Sequence, residues 1–283
     1  MGPFPALALL ALLPALPNLG TTPGSLDPLP TPVSPALFPG VHSVLWVGAH
    51  PDDEVLVAPA LAKLCREERL DCHLLVLTRG EAGACLLPEG CWPDLATVRI
   101  LEMQQAAALF GAGLTQWDLP DGGGMPGWDA ASGGHSALVE RVAAFLDSRA
   151  PDLVLTFDPR HGATCHGDHK AAAALVLEAR AGLATLPVTY LLETRVAVSA
   201  APPDIRYSPA ASARAGAFGY PATADREGTF GTWSYSVAAA RLHRSQFSAP
   251  TLRALARLPG DQRVVYLANA AVVLAQDDVL TCP

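Results

Sequence analysis

Residues 43–54 read Ser-Val-Leu-Trp-Val-Gly-Ala-His-Pro-Asp-Asp-Glu. The run 43–48 is short and apolar, as a strand buried on both faces must be. It ends in small residues and then in a burst of polar ones, His50, Asp52, Asp53 and Glu54. A second segment repeats the arrangement. Residues 153–157, Leu-Val-Leu-Thr-Phe, form another apolar run, and His166-Gly167-Asp168-His169 follows a short loop later.

Outward from these segments, strand and helix patterns alternate. The spacing predicts strands over 43–48, 73–78, 115–119, 153–157 and 188–193. It predicts helices over 58–69, 96–110 (closed by Gly111 and Gly113), 136–149 and 168–181. Pro120 to Gly124 reads as a loop that opens no helix. Alternation of this kind specifies a Rossmann-like α/β fold, a mostly parallel sheet with helices on both faces. Ligands bind such sheets beyond the carboxyl ends of the strands. Both His/Asp segments fall there, after the first and fourth strands, so one cleft is expected to hold both. Beyond it, 202–233 reads as an irregular excursion, 236–247 and 252–258 as helices, and 263–275 as one or two strands.

The 283 residues are half apolar and only 16% charged, with a formal net charge of -8. No long basic run is present, which excludes a protein built to grip nucleic-acid phosphates. The apolar stretch 6–16 has the length of a signal-peptide core and is too short to span a bilayer. The expected organisation is a signal peptide over 1–20, a Pro/Gly-rich exposed linker over 21–40 and one domain over 41–283. A secreted or periplasmic location follows, with a cytoplasmic one as the alternative. Six cysteines fit an exported, disulfide-bearing chain. Cys85 and Cys91 flank a five-residue loop, and Cys65 and Cys72 bracket a helix-to-strand turn, so each pair is a candidate bridge. Buried thiols are the other reading.

His50, Asp53 and His169 supply two imidazoles and one carboxylate, a catalytic ligand set for Zn2+ or another divalent metal with one position left for water. Asp52 is the spare carboxylate, a candidate general base. His166 is the spare imidazole, able to donate to an oxyanion or a leaving amine. Metal-assisted hydrolysis of an amide fits this set. Taken singly, each segment also reads as a polar turn with a helix cap at Asp52 or Asp168.

The chain resembles the PIG-L / LmbE-like zinc-dependent N-acetylglucosaminyl deacetylases. Ala49 to Glu54 carries that family's first motif intact. His166-Gly167-Asp168-His169 matches its second, with Gly in place of Pro. Thr78 to Gly83, Arg99 with Glu102, and His243-Arg244-Ser245-Gln246 extend the likeness over about 44–246. The resemblance implies His50, Asp53 and His169 as zinc ligands, Asp52 as base and His166 as stabiliser or acid. It implies an N-acetylated sugar as substrate, with Arg79 and Asp121 at the rim as contacts to it or as plain surface charges. Glu54 is expected to hydrogen-bond the following helix. His243 reads as a satisfied core histidine or a cleft residue. Trp92 and Trp128 read as loop-packing residues or sugar platforms, and His161 as the unassigned histidine nearest the pocket. Two other functions compete: a zinc amidase on a different N-acyl group, and a metal- or sugar-binding protein without turnover. A dinucleotide-binding oxidoreductase is excluded, because no Gly-x-Gly-x-x-Gly turn follows the first strand.

Overall fold

The computed structural model describes residues 36–193, 217–221, 231–260 and 263–275. The signal segment, most of the linker and most of the 202–233 excursion lie outside them. The elements in order are β1 (Ser43–Gly48), α1 (Ala58–Leu61), β2 (Asp71–Thr78), α2 (Leu95–Phe110), β3 (Gly113–Leu119), α3 (Gly124–Ser132), α4 (His135–Arg149), β4 (Leu153–Phe157), α5 (Gly167–Ala181), β5 (Val188–Glu193), β6 (Ala217–Pro221), α6 (Thr232–Leu242), α7 (Ala249–Ala256), β7 (Val264–Asn269) and α8 (Ala270–Leu274). A 3-10 turn, Asp53–Leu56, precedes α1, and a π-helical segment, Ala62–Glu67, extends it.

The strands form one sheet in the order β3-β2-β1-β4-β5-β7-β6. The first five are parallel, and β7 runs antiparallel to both β5 and β6. Strand alternation sends successive side chains of β1 to opposite faces. Val44 and Trp46 join one core with α1, α2 and α6, whereas Leu45 and Val47 join a second with α3, α4 and α5. Each fully buried Leu or Val contributes about 1.5–3 kcal/mol, and both faces are lined with them, so β1 is fixed from above and below. Its neighbours are β2 and β4. From β1 the chain order runs outward in two directions, and this reversal opens the crevice where parallel sheets take ligands.

Several expectations are corrected. The Gly122-Gly123-Gly124 run does open a helix, α3. Its composition is poor for a helix, but Trp128 is fully buried there and its Nε1 donates to Pro120 O at 2.9 Å. Residues 263–275 are a strand and a short helix; Asn269 Oδ1 accepts from Ala271 N at 3.0 Å and turns the chain out of the sheet. Within the expected excursion, Ala217–Pro221 is a strand. The linker's end is not wholly exposed either, because Phe38 is buried against Tyr190, with ring centroids 4.7 Å apart. Cys65–Cys72 and Cys85–Cys91 are both disulfides, and Cys165 is disulfide-bonded too. Among the described residues, no helix is long and apolar enough to cross a membrane.

Candidate metal centre and active site

The loop leaving β1 is held by its own aspartate. Asp53 Oδ2 accepts from Ala49 N at 2.7 Å and His50 N at 2.8 Å. This leaves Asp53 Oδ1 facing His169 Nε2 at 2.9 Å. His50 Nδ1 lies 3.2 Å from the same His169 nitrogen and 3.7 Å from Asp53 Oδ2. All three side chains are buried. His169 Nδ1 is spoken for, with Gly162 O at 2.8 Å and Thr164 Oγ1 at 2.9 Å. A ring that donates through Nδ1 to a carbonyl presents a lone pair at Nε2. Phe157, the last residue of β4, stacks flat on this ring at 4.1 Å between centroids and fixes its plane.

The far side of His50 is anchored as firmly. Its Nε2 lies 3.1 Å from both Asp121 Oδ1 and Asp168 Oδ2. Asp168 in turn accepts from Gly122 N at 2.7 Å and Gly124 N at 2.8 Å, and Asp121 accepts from Ala82 N at 2.8 Å. Burial works against a proton on His50, but Asp121, Asp168 and Asp53 prevail and hold its pKa well above the ordinary value. Burial likewise opposes charge on Asp53, yet His169 and His50 hold its carboxyl well below the usual range. The cluster is thus built around positive charge. With two imidazole nitrogens and a carboxylate oxygen converging and second partners behind each ring, it fits a divalent cation such as zinc.

Asp52 points elsewhere. Its backbone sits at φ 128°, ψ -12°, rare for a residue with a side chain and worth about 1–3 kcal/mol of strain. Arg99, from α2, holds it. One guanidinium nitrogen is 3.0 Å from Asp52 Oδ2 and donates to Pro51 O, and another donates to Gly80 O at 2.9 Å. A Cβ on Gly80 would overlap this guanidinium, so only glycine fits there. Burial, only partly offset by Arg99, lifts the Asp52 carboxyl above its usual range. His166 begins α5. Its Nδ1 accepts from Asp168 N at 3.2 Å, and its ring lies 4.7 Å from His50 and 5.0 Å from His169. Burial first, then those two rings, pulls its pKa down.

The structure therefore brings His50, Asp52, Asp53, His166 and His169 together. Asp121 is drawn in against His50. Arg79 is not: it is exposed and lies 3.3 Å from Asp118. Asp168 is not a cap, since His166 takes that place; it orients His50. Glu54 does not serve the helix after it but pairs with buried His243, Nε2 to Oε1 at 2.6 Å. His161 is buried, at 1% exposure. Trp128 is core, whereas Trp92 is 85% exposed. Sequence reasoning missed the donor role of Gly122 and Gly124, which no side-chain pattern announces.

An α/β domain with a His/Asp/His cluster at the β1–β4 crevice is the class of protein defined here. Residues 45–180 match the family model PIG-L: GlcNAc-PI de-N-acetylase. The chain is 30% identical over 159 residues to 1D-myo-inositol 2-acetamido-2-deoxy-alpha-D-glucopyranoside deacetylase 3 of Catenulispora acidiphila, covering 48% of this chain and 44% of that one. It spans about half the length of the curated relatives it matches. N,N'-diacetylchitobiose deacetylase from Pyrococcus horikoshii shares the fold at TM-score 0.54 and 19% identity, over 81% of this chain and 83% of that chain. So does GalB, the 4-carboxy-2-hydroxymuconate hydratase of Pseudomonas putida KT2440, at TM-score 0.55 and 19% identity, over 80% and 94%. These last two are likenesses of fold. Because a deacetylase and a hydratase share it, function must be argued from the site.

Proposed function

We propose that the chain is a zinc-dependent hydrolase that removes the N-acetyl group from an N-acetylglucosamine-type sugar or glycoconjugate. The observation that carries this is the convergence of His50 Nδ1, Asp53 and His169 Nε2 beside an Asp52 turned away from them. His50, Asp53 and His169 would hold the metal. When bound, zinc supplies Lewis acidity, polarising the amide carbonyl and lowering the pKa of water toward about 7. Asp52, with its carboxyl lifted above the usual range, accepts the proton of the attacking water. Arg99 keeps that carboxylate aimed. The amide C–N bond breaks, acetate leaves, and the proton passes to the sugar amine. His166, with its ring 4.7 Å from His50, is the donor to the developing oxyanion or the amine. Asp121 and Asp168 keep His50 in one orientation. Arg79 and Trp92 are rim candidates for contact with the sugar.

The relatives' names support the N-acetylated sugar, and the two bridged cysteine pairs support an exported chain, since such bonds persist in oxidising compartments. The test is a panel of N-acetylated sugars assayed for free acetate, with and without chelator and with zinc restored. Release that stops with chelator and returns with zinc is expected. Release indifferent to chelator would remove the metal from the mechanism. A zinc-loaded protein that releases no acetate from the panel but cleaves another acylamide would move the substrate class.

A further inference from the structure

A ring of buried polar contacts lies behind Asp52. Arg99 holds Asp52 Oδ2 at 3.0 Å. Glu102 is three residues further along α2, on the same side of the helix, and both are buried at 4% and 7% exposure. Glu102 Oε1 accepts from Ser245 N at 2.8 Å, and its Oε2 accepts from Ser245 Oγ at 2.6 Å. Ser245 belongs to the turn after α6, in which Gln246 N donates to His243 O at 3.0 Å. His243 Nε2 meets Glu54 Oε1 at 2.6 Å, and Glu54 is two residues from Asp52. The ring closes on the residue it started from.

Four features separate this ring from ordinary core packing. Its links join segments 143 and 189 residues apart, so it fixes α2 and the loop after β1 to one another through a third element. Glu54, Arg99, Glu102 and His243 are ionisable and buried, and such pairs add little stability relative to apolar residues of the same shape, while breaking one is costly. Three buried atoms in it, Glu54 Oε2, Arg99 Nε and His243 Nδ1, have no hydrogen-bond partner among the described residues, so hydrogen bonding is not maximised. The backbone it surrounds is the strained Asp52.

We propose that the turn His243–Gln246 is a positioning device for Asp52, acting through Glu54 on the loop and through Glu102 and Arg99 on the side chain. This rests on the reading of Asp52 as the general base. None of the ring residues touches substrate on this view. The ring holds Asp52 at the angle from which it can reach the attacking water, and a misplacement of about 1 Å at such a residue costs up to about a hundredfold.

The experiment is a double-mutant cycle on the zinc-loaded protein, with acetate release as readout. His243→Gln should lower kcat by about tenfold to a hundredfold, with KM and metal content within about twofold of wild type. In an Asp52→Asn background the same substitution should cost no more than about twofold, because the residue it positions is already gone. Ser245→Ala, which leaves the Ser245 N–Glu102 bond in place, runs the same cycle should His243→Gln fail to fold. A crystal structure of the zinc-loaded His243→Gln protein should show the Asp52 carboxylate moved away from Arg99. Full cost in both backgrounds would overturn the inference while leaving Asp52 as base. Near-normal activity in Asp52→Asn alone would overturn the general-base reading, and the ring's role with it.

Discussion

The two ends of the sheet use the same residue types to opposite effect. At the amino ends of β1 and β4, Asp152 Oδ2 takes three donors, His42 N at 2.8 Å, Ser43 N at 3.0 Å and Ser43 Oγ at 3.1 Å. Ser43 Oγ answers by accepting from Asp152 N at 2.9 Å. Donors and acceptors close on each other, and the cluster ties two strands. At the carboxyl ends, Asp53 spends one oxygen on the loop and presents the other. His169 spends one nitrogen on a carbonyl and presents the other, and His50 does the same with two aspartates behind it. Polar groups that exhaust each other are structural. Groups that are held from behind and converge in front are built for a ligand.

The sharpest break in this comparison is removal of a converging group. His50→Ala and His169→Ala should each abolish metal binding. Activity should fall by on the order of a thousandfold or more, since the ion supplies several kcal/mol. Asp152→Ala should lower the melting temperature and leave metal content and kcat alone. Metal analysis alongside thermal unfolding checks both. If the His variants retain full metal, the converging set has been misassigned.

Asp52→Ala comes next. It should keep about one metal per chain and lose about a hundredfold or more in kcat. Activity within a few-fold of wild type would take Asp52 out of the proton transfer. Asp168→Asn should be milder, weakening metal affinity about 10–100-fold, as expected when the partner behind a ligand ring is lost. A metal titration with an unchanged affinity would make Asp168 merely a brace for the loop at Gly122.

What was legible in the sequence follows the same division. The converging residues announce themselves, because only a few side chains bind metal and they stand next to strands read correctly at β1 and β4. The groups behind them do not. Asp168 looked like a helix cap, and its true donors, Gly122 N and Gly124 N, are backbone amides that any residue carries. The helix that aims Gly124 was hidden as well. Its Gly-Met-Pro-Gly-Trp start opposes helix formation, and tertiary contacts decide it: Trp128 is locked into the core and Asp168 receives the Gly124 amide. The run 270–274 misled in the other direction. Ala-Ala-Val-Val-Leu suits a strand, and the Asn269 side chain caps it into a helix. Local preference is overruled where a side chain far away in sequence, or an adjacent cap, supplies the missing hydrogen bond.

Trp92 offers a smaller test at the rim. It is exposed, next to the Cys85–Cys91 bridge, on the loop whose Ala82 N binds Asp121 and whose Ala84 O accepts from Gln246 at 3.1 Å. An exposed aromatic on such a loop has a free face on which a sugar or apolar aglycone can stack. Trp92→Ala should raise KM a few-fold, about 1 kcal/mol, for an extended glycoconjugate, and leave kcat unchanged. Equal KM values for both proteins on every substrate in the panel would return Trp92 to bare surface.

The smallest effect concerns the quiet end of the sheet and asks whether it is purely structural. His73, on β2, has its Nε2 2.9 Å from Thr115 Oγ1 and 3.2 Å from Arg149. Partial burial, then the Arg149 guanidinium, pushes its pKa down to about 4. The unfolded chain has an ordinary histidine near 6.5, so it takes up the proton first. The contribution of neutral His73 to stability is therefore intact above about pH 6.5, declines as pH falls toward about 4, and then levels off. His73→Gln, which keeps a hydrogen-bonding group beside Thr115 and cannot titrate, should flatten that stretch of the stability curve. Denaturant unfolding at several pH values between 7.5 and 4, on both proteins stripped of metal, isolates the difference from any acid release at the site. A gap between the two curves that stays constant across this range would mean His73 is not the group that titrates.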